Sequence, residues 1–378
     1  MYVLPISMGR SFSIATFIFL SITSVTSQAE EMDHSKHLAP LQLDHSQHQV
    51  PAQMDHSQHA AADNTADDPI YSNHSGHAGA WMFEYRYMRM FQKEALDITQ
   101  EIDAINTLQT PQFTKDRTYG TGTDMLTNAG YNMNMDMHML MIMYNQTRKL
   151  TWMVMINYLY NKMDMWDQMM LGDTPTSFVM DSQGMGDTQI FLTYQFAHTP
   201  LFDFSITGGI NLPTGSIDQS DDITDMNGQE GIAPYAMQLG SGTYDIYSKF
   251  TVEGDKGGFN YGAEIYRINR TGYNTQYYNL GDNLRFSGWA RYRFSFGTQL
   301  RSSLIQRVSS QVMGRDERMS DNTRYTGGKR LDGIIGLGQA FGDFAIYVDY
   351  AYPLLQRVNG VQMKTTGILY AGLQFMYM

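Results

Sequence analysis

The sequence predicts an all-β protein: a transmembrane, antiparallel, up-and-down β-barrel of about twelve strands, preceded by a disordered, histidine-rich N-terminal tail. Two observations predict the barrel. From Trp81 onward, apolar and polar residues alternate with a period of two, as on strands whose two faces meet different surroundings. Short turns and long loops then alternate between these segments, which is the connection pattern of outer-membrane barrels.

Composition excludes several classes of protein. The chain of 378 residues has no cysteine, so disulfides, thiolate metal sites and a lipoprotein anchor are excluded. The formal net charge is -12 and no basic stripe is present, so nucleic acid is not an expected partner. No segment after the N-terminus has about 18 consecutive apolar residues, so membrane-spanning helices are not expected.

Residues 1–29 have the pattern of a secretory signal. Arg10 precedes an apolar run that begins at Phe12, and the small residues Ser27 and Ala29 precede the expected cleavage point. A short membrane anchor is the alternative, but the apolar run is too short to favour it. The mature chain is therefore expected to begin directly after this segment, outside the cytoplasm.

Residues 30–79 have almost no apolar periodicity, so we expect them to be disordered. A unit with two histidines three positions apart recurs there, as in MDHSKH at Met32 to His37. Such a pair, flanked by an aspartate and sometimes a methionine, can close on one ion, whereas the alternative is a solvated linker of biased composition. The tail histidines predicted to bind metal are His34, His37, His45, His48, His56, His59, His74 and His77.

The identity of that metal stays open at this point. Imidazole nitrogen suits copper, zinc or nickel alike, and only the methionine content favours copper. We therefore expect no resident cofactor, with a copper ion as the bound species and zinc or nickel as the alternatives.

A hairpin with methionine on one face is the most distinctive segment of the chain. Methionine occupies every odd position from Met133 to Met143, and the odd face of the following strand mixes methionine with asparagine. On extended strands these thioethers share one face. The predicted thioether ligands are Met133, Met135, Met137, Met139, Met141, Met143, Met153, Met155, Met163 and Met165.

The turn of this hairpin predicts its register. If the hairpin is centred on Thr147, Met141 lies opposite Met153 and Met139 lies opposite Met155. Two neighbouring strands would then share one sulfur-lined surface.

The methionine face is assigned to the interior of the barrel. The even face of the second strand carries Trp152, Val154 and Ile156, which suit contact with lipid. Thioethers facing a lumen offer weak, exchangeable sites for Cu(I), which is a soft ion. The alternative is packing, since methionine is a flexible filler of narrow interiors.

Charged residues fix the facing of other strands. Arg285, Arg291 and Arg293 alternate with apolar residues, and an arginine on the lipid face costs roughly 2 to 4 kcal/mol near the midplane, so these side chains are expected to line the lumen. Outside the hairpin, strands are predicted at 81–90, 188–196, 203–212, 244–253, 259–265, 284–296, 300–310, 331–341, 344–350 and 364–378.

Two long connections have features of their own. Ile98, Ile102 and Ile105 have the spacing of a short amphipathic helix, which we predict in the connection after the first strand. Residues 213–241 form a long acidic loop that contains DQSDDITD, and this loop is expected to be external.

Five segments carry a resemblance to a known family: GMGDTQIFLTYQF (Gly184 to Phe196), INLPTGS (Ile210 to Ser216), LGSGTYDIYSKF (Leu239 to Phe250), TGGKRLDGIIGLG (Thr326 to Gly338) and YPLLQRVNGVQM (Tyr352 to Met363). They resemble the outer-membrane barrel family linked to the meta-cleavage pathway of phenol degradation. The resemblance spans most of residues 81–378. It implies a channel or transporter without a defined catalytic site.

Two other segments, residues 30–60 with their MDHS units and the methionine hairpin at 131–165, are similar to another group. They resemble the methionine- and histidine-rich outer-membrane proteins of copper resistance, whose tails carry similar units. This second resemblance implies metal resistance or homeostasis.

Together these features predict a copper-handling channel in the outer membrane of a Gram-negative bacterium, with its tail in the periplasm and without enzymatic activity. The expected partners are outer-membrane lipid, transition-metal ions and periplasmic metal-handling proteins. A second hypothesis keeps the barrel and changes the cargo to a small hydrophobic or aromatic compound, which would stack on inward-facing Tyr247, Trp289 and Tyr347. A third, an outer-membrane lipid hydrolase, needs a serine beside the outward-facing His138, and the adjoining strands offer aromatic residues there instead.

Overall fold

The structure is a computed structural model. It describes residues 77–107, 128–167, 174–224, 230–296, 300–314, 317–318 and 326–377. The predicted signal peptide and the histidine tail, apart from residues 77–79, lie outside the described residues.

The described part of the chain is built from β-strands and two short 3-10 helices, Ala104–Thr107 and Tyr235–Met237. None of the helices described is long and apolar enough to cross a membrane. The strands are β1 (Trp81–Asp97), β2 (Gln100–Ile102), β3 (Asn128–Thr147), β4 (Leu150–Asp167), β5 (Thr176–Met185), β6 (Thr188–His198), β7 (Asp203–Leu212), β8 (Ser220–Thr224), β9 (Glu230–Ile232), β10 (Ile246–Lys256), β11 (Phe259–Asn269), β12 (Tyr278–Asn279), β13 (Asn283–Phe296), β14 (Leu300–Met313), β15 (Glu317–Arg318), β16 (Gly328–Phe341), β17 (Phe344–Val358) and β18 (Val361–Tyr377).

Twelve of these strands close into an antiparallel barrel, which confirms the predicted fold. Their order around the barrel is β1, β3, β4, β6, β7, β10, β11, β13, β14, β16, β17 and β18. Trp81 of β1 lies opposite Tyr144 of β3 on one side and opposite Tyr377 of β18 on the other, so no edge strand is left open. Because the number of strands is even, β1 begins and β18 ends at the same end of the barrel.

The two ends of the barrel differ in their connections. At the end where β1 begins, here called the turn end, the connections are short, with two-residue turns at 148–149, 257–258 and 342–343. Gly257 and Gly258 adopt the positive φ angles that such a turn requires. The opposite end, here called the loop end, carries the long connections. The long inserts are therefore all on one side of the barrel.

Alternation along the strands separates a lipid-like outer face from a packed interior. In β3, Leu140 faces outward and is 45% exposed, whereas its neighbour Met141 faces inward and is 4% exposed. Arg291 of β13 is buried in the interior, as its sequence pattern predicts. Trp81, Tyr144 and other aromatic residues lie on the outside at the turn end, where a membrane interface favours them.

The predicted register of the methionine hairpin is wrong. Met141 lies opposite Met155, and Met143 lies opposite Met153. The two residues after Thr147 form the turn, and a bulge precedes them, so the centre of the hairpin lies one position later than predicted. This moves each residue by two positions relative to its partner strand, so every side chain keeps its predicted face.

The predicted amphipathic helix after the first strand is also wrong. β1 runs on to Asp97, and the residues from Gln100 to Ile102 pair with it as β2. Only a single 3-10 turn, Ala104–Thr107, follows in the described residues. Backbone N–H and C=O groups of this segment form hydrogen bonds between strands. The helical spacing of three isoleucines was too weak a pattern to predict this pairing.

Sequence patterns did not predict β5. It pairs with the loop-end half of β4 and continues into β6 after a break at Gly186 and Asp187. The chain from Thr176 to His198 is therefore one long strand with an interruption. Its inward side carries Phe178 and Met180 at the loop end.

Aromatic rings inside the barrel fit against glycines of neighbouring strands. A methyl group on Gly372 would lie 2.1 Å from Cζ of Tyr347, and one on Gly262 would lie 2.4 Å from Cζ2 of Trp289. The Tyr347 hydroxyl donates to Oε1 of Glu84 at 2.5 Å, which ties β17 to β1 across the barrel seam. These rings lie flat on the wall because glycine leaves room for them.

We expect Gly372→Ala to lower the free energy of unfolding by about 1 to 3 kcal/mol, because the new methyl group overlaps the ring of Tyr347. Urea titration of the refolded protein, followed by tryptophan fluorescence, measures the change. Gly208→Ala is the matched control, since a methyl group on this outward glycine would meet no atom within 4 Å. Equal stability of the two variants would show that the ring of Tyr347 is free to move away.

Candidate metal and cargo site in the lumen

One wall of the lumen, formed by β1, β3 and β4, is lined with thioethers. Every methionine of β3 is buried or half-buried on the inner face, whereas His138 and Leu140 between them are exposed outside. The predicted methionines of β4 lie on the same inner surface as those of β3. All ten thioethers predicted from the sequence therefore share one wall.

The methionines on this wall form a continuous track. Met143 lies beside Met82 of β1 and Met153 of β4 at the turn end, and Met133 lies beside Met163 near the loop end. Same-face neighbours along a strand are about 6.6 to 6.8 Å apart, and neighbours on adjacent strands have Cβ atoms about 4.5 to 5.5 Å apart. The path from one end of the barrel to the other therefore has only short steps between sulfur-bearing side chains.

The track ends in a buried group of methionines, here called the loop-end cluster. Phe178 and Ala233 pack with them. Its methionines are Met133, Met135, Met163, Met165, Met180, Met237 and Met363. The hairpin pattern predicted four of these. Met180, Met237 and Met363 come from β5, a loop and β18, and only the fold brings them to the hairpin.

The connection from 213 to 245, here called the inserted loop, is described over residues 213–224 and 230–245, and its residues Ala233 and Met237 pack into this cluster. This loop, predicted from the sequence to be external, lies at the end with the long connections, and in its second half Ala233, Met237 and Leu239 are buried. The hydroxyl of Ser182 on β5 donates to the carbonyl oxygen of Met237 at 2.6 Å. The loop therefore folds into the mouth of the barrel and adds a thioether to the wall.

Asp187 holds the base of the inserted loop. Its Oδ2 accepts from the backbone N–H of Ser241 at 2.8 Å, from the hydroxyl of the same serine and from Nδ2 of Asn211. Its Oδ1 accepts from the backbone N–H of Gly215 at 3.0 Å. The break between β5 and β6 places this buried carboxylate where both ends of the loop meet.

The facing wall is charged and aromatic. The guanidinium of Arg307 lies 5.5 Å from the ring centroid of Trp289, and that of Arg285 lies 5.7 Å from the ring of Tyr266. A guanidinium group therefore lies over each of these two rings. Tyr247 packs against Phe191, with 5.3 Å between the ring centroids. The three aromatic residues predicted to face inward do so, but they pack on the wall.

The interior offers soft ligands and few clustered hard ones. Within the described ranges, no group of three histidine, aspartate or glutamate side chains is arranged to hold a metal ion. The sulfurs do converge, since the Sδ atoms of Met163 and Met363 both lie within 3.0 Å of the point where Gly130 would carry a Cβ. This donor set fits Cu(I) or another soft monovalent ion.

The histidines outside the tail lie away from the lumen. The imidazole of His138 faces outward and its Nδ1 lies 2.7 Å from the hydroxyl of Tyr85. His198 is exposed at the turn end, beside Asp203. His138 is on the opposite face of β3 from the thioethers, and His198 lies in a turn, so neither imidazole faces the methionine wall.

We expect Asp187→Asn to loosen the inserted loop, because an amide nitrogen would face donors that now bind carboxylate oxygen. Hydrogen bonds to a charged group contribute about 1.5 to 3 kcal/mol each, so loss of one is enough to raise protease cleavage within residues 213–245 about tenfold. Limited proteolysis with mass spectrometry measures this. Asp343→Asn, in an exposed turn at the other end, removes the same charge and should leave the cleavage rate unchanged. Equal cleavage of both variants would mean that the loop is held by its apolar contacts.

Comparison with known proteins agrees with the barrel architecture. No family model matches the sequence, and no curated protein is significantly similar to it. The fold is similar to that of an outer membrane channel from Pseudomonas putida F1, with 11% identity, coverage of 81% of this chain and 98% of that chain, and a TM-score of 0.55. A Pseudomonas aeruginosa FadL homologue is more distant, with 7% identity, coverage of 79% and 90%, and a TM-score of 0.40.

At this level of identity the likeness shows the fold alone. The described strands form a closed β-barrel with an apolar outer face, which is the architecture of an outer-membrane barrel. The cargo has to be argued from the residues that line the lumen.

The expectation that the protein is not an enzyme is corrected. The structural neighbours also include OmpT, an outer membrane protein of Vibrio cholerae, with 9% identity, coverage of 81% and 100%, and a TM-score of 0.31. A fold by itself does not exclude catalysis. We therefore describe the protein as a β-barrel and assign no reaction to it.

Proposed function

We propose that this protein is an outer-membrane channel that binds copper and moves it as Cu(I) along the methionine wall, for metal resistance or homeostasis. One observation carries the proposal: thioethers follow one wall of a closed barrel from the turn end to the loop end without a gap. General filling of a narrow lumen would spread methionine around the barrel. Here it is concentrated on β1, β3 and β4, with further members from β5, β18 and the inserted loop.

Packing of the interior favours movement by ligand exchange over diffusion of a hydrated ion. Met141, Leu159, Arg291 and Trp289 face inward and are all buried, so these side chains contact protein neighbours and not bulk water. A cation in such a space must exchange water for protein ligands, and thioethers bind Cu(I) weakly enough to release it. Neighbouring sulfurs then receive the ion in short steps, as conduction through a chain of binding sites requires.

The tail histidines fit the same role as a collecting segment. Their repeated pairs, which include His77 at the start of the described residues, would raise the local concentration of the ion close to the barrel. Zinc or nickel could bind there as well, since imidazole accepts all three. A periplasmic metal-handling protein would then deliver the ion to the tail or remove it.

Replacing the eight tail histidines by glutamine should remove most copper binding that the full-length protein shows outside the lumen, with apparent affinity at least about tenfold weaker. Equilibrium dialysis against copper, zinc and nickel, with metal content measured by mass spectrometry, tests this. The barrel keeps every thioether in this variant. Unchanged binding of all three metals would identify the tail as a linker.

The triple change Met139→Leu, Met141→Leu and Met155→Leu should reduce Cu(I) flux at least about tenfold, because leucine keeps the volume but provides no ligand. Flux is measured in proteoliposomes that contain a Cu(I)-specific dye. Met185→Leu is the control, since this methionine is on the outer face and 49% exposed. Unchanged Cu(I) flux in the triple variant would show that the ion does not move along these methionines.

A second candidate is a channel for small hydrophobic or aromatic compounds. The methionine wall favours it too, because thioether side chains present an apolar, adaptable surface. The facing wall offers Arg285 and Arg307, which would pair with the carboxylate of an aromatic acid. Benzoate flux in the same proteoliposomes separates the two candidates. Leucine at the three changed positions preserves an apolar wall, so benzoate flux should survive the changes that stop copper.

A further inference from the structure

We infer that the loop-end cluster is a binding site for one soft monovalent cation, Cu(I) or Ag(I), and that the bound ion holds the inserted loop in the mouth of the barrel. The class of ion rests on the proposed function. The position of the inserted loop would then depend on whether the loop-end cluster holds an ion.

The sulfurs of the cluster are enclosed and close together. Met180 and Met237 have 0% of their surface exposed, and Met133 has 2%. The Sδ atoms of Met163 and Met363 approach one point beside Gly130, where any side chain would displace them. Glycine at this position therefore leaves the space between two strands to sulfur.

An amide oxygen without a donor lies at the edge of the cluster. Asn161 of β4 is 0% exposed, and among the described residues no donor reaches its Oδ1. Asn161 lies opposite Met135, which packs against the cluster. Its Nδ2 donates a hydrogen bond to Oγ of Ser182 at 3.2 Å. A buried acceptor without a partner costs about 1 to 3 kcal/mol. A cation beside the sulfurs would satisfy it.

The ligands select the charge of the ion. Thioether, alanine and phenylalanine side chains make up the cluster, the amide of Asn161 borders it, and none of these groups is anionic. A divalent ion would be buried without a compensating charge, which is much less favourable than burying a single positive charge. Soft sulfur ligands favour Cu(I) and Ag(I) among monovalent ions.

The loop is part of the site. Met237 belongs to the inserted loop, whereas Met133 and Met163 belong to the barrel wall, so an ion bound by all three joins the loop to the wall. The hydrogen bond from Ser182 to the carbonyl oxygen of Met237 is the only direct polar link between β5 and this turn among the hydrogen bonds described. Ion binding would add a second, stronger link.

Silver binding to the full-length protein tests the site. Ag(I) is the probe because it has the same ligand preference as Cu(I) and does not oxidise in air. Wild-type, Met237→Leu, Met180→Leu and the outward control Met185→Leu are compared by equilibrium dialysis at low free Ag(I). All four share the same tail and the same track, so any difference belongs to the cluster. Heat-modifiable migration on gels verifies that each variant is folded.

We expect the two cluster variants to bind one silver ion fewer per chain, or to bind it at least about tenfold more weakly, while Met185→Leu matches the wild-type protein. We also expect Ag(I) to slow protease cleavage within residues 213–245 in the wild-type protein and in Met185→Leu only. Equal silver content in all four proteins would overturn the site. Silver binding that leaves loop cleavage unchanged would overturn the coupling to the loop.

Failure of the silver site can be distinguished from failure of the proposed copper transport. The changes at Met139, Met141 and Met155 lie outside the loop-end cluster, and their readout is flux. Silver binding at the cluster with unaltered copper flux in that triple variant would leave a closed storage site in a barrel that does not conduct copper along its wall. Copper flux without the silver difference would leave a track that has no site at the mouth.

Discussion

Closure of the backbone hydrogen-bond ladder is the constraint on which the rest of the structure depends. Inside a membrane every backbone N–H and C=O must find a partner in the protein, so the sheet has to close on itself. β1 pairs with both β3 and β18, and this closure gives every strand one face toward lipid and one toward the lumen. The period of two in the sequence then decides which side chains meet inside. A methionine at every second position must therefore line the interior as a row.

Closure also limits what the interior can contain. On one wall, rings such as Tyr347 fit against glycines, and guanidinium groups cover them. Charged side chains on the β1 part of the methionine wall are paired locally, as Arg86 is with Glu84 at 2.6 Å. β3 itself carries no charge on its inner face between Met133 and Met143, since Asp136 and His138 point outward. The neutral sulfur row of β3 is therefore bordered on β1 by one ion pair, with Glu84 opposite Met141 and Arg86 opposite Met139.

Sequence patterns could predict the barrel, its strand number and the facing of its residues, because a two-residue period survives small errors of alignment. The methionine hairpin illustrates this. Its centre lies one residue later than the predicted centre, Thr147, yet Met141 and Met155 still face the interior. The candidate site was only partly predictable. Met180 and Met237 carry no pattern of their own, and the break at Asp187 that orders the inserted loop depends on donors from residues far apart in the chain. Contacts of that kind are formed by the closed barrel and cannot be found along one strand.

The choice of methionine has a physical reason in a space as narrow as this one. A carboxylate or histidine row would bind metal ions strongly, but several like charges in a low-dielectric lumen would repel one another and need counter-charges that occupy room. A row of thioethers fills the volume as leucine would, remains neutral with or without an ion, and changes shape easily because its side chains have three rotatable bonds. Met133 to Met143 can therefore pack the empty barrel and still offer ligands in sequence. The same property makes the wall compatible with an apolar solute. Transport that requires sulfur at Met139, Met141 and Met155 would identify copper as the cargo, whereas transport that requires only side-chain volume there would identify an apolar compound.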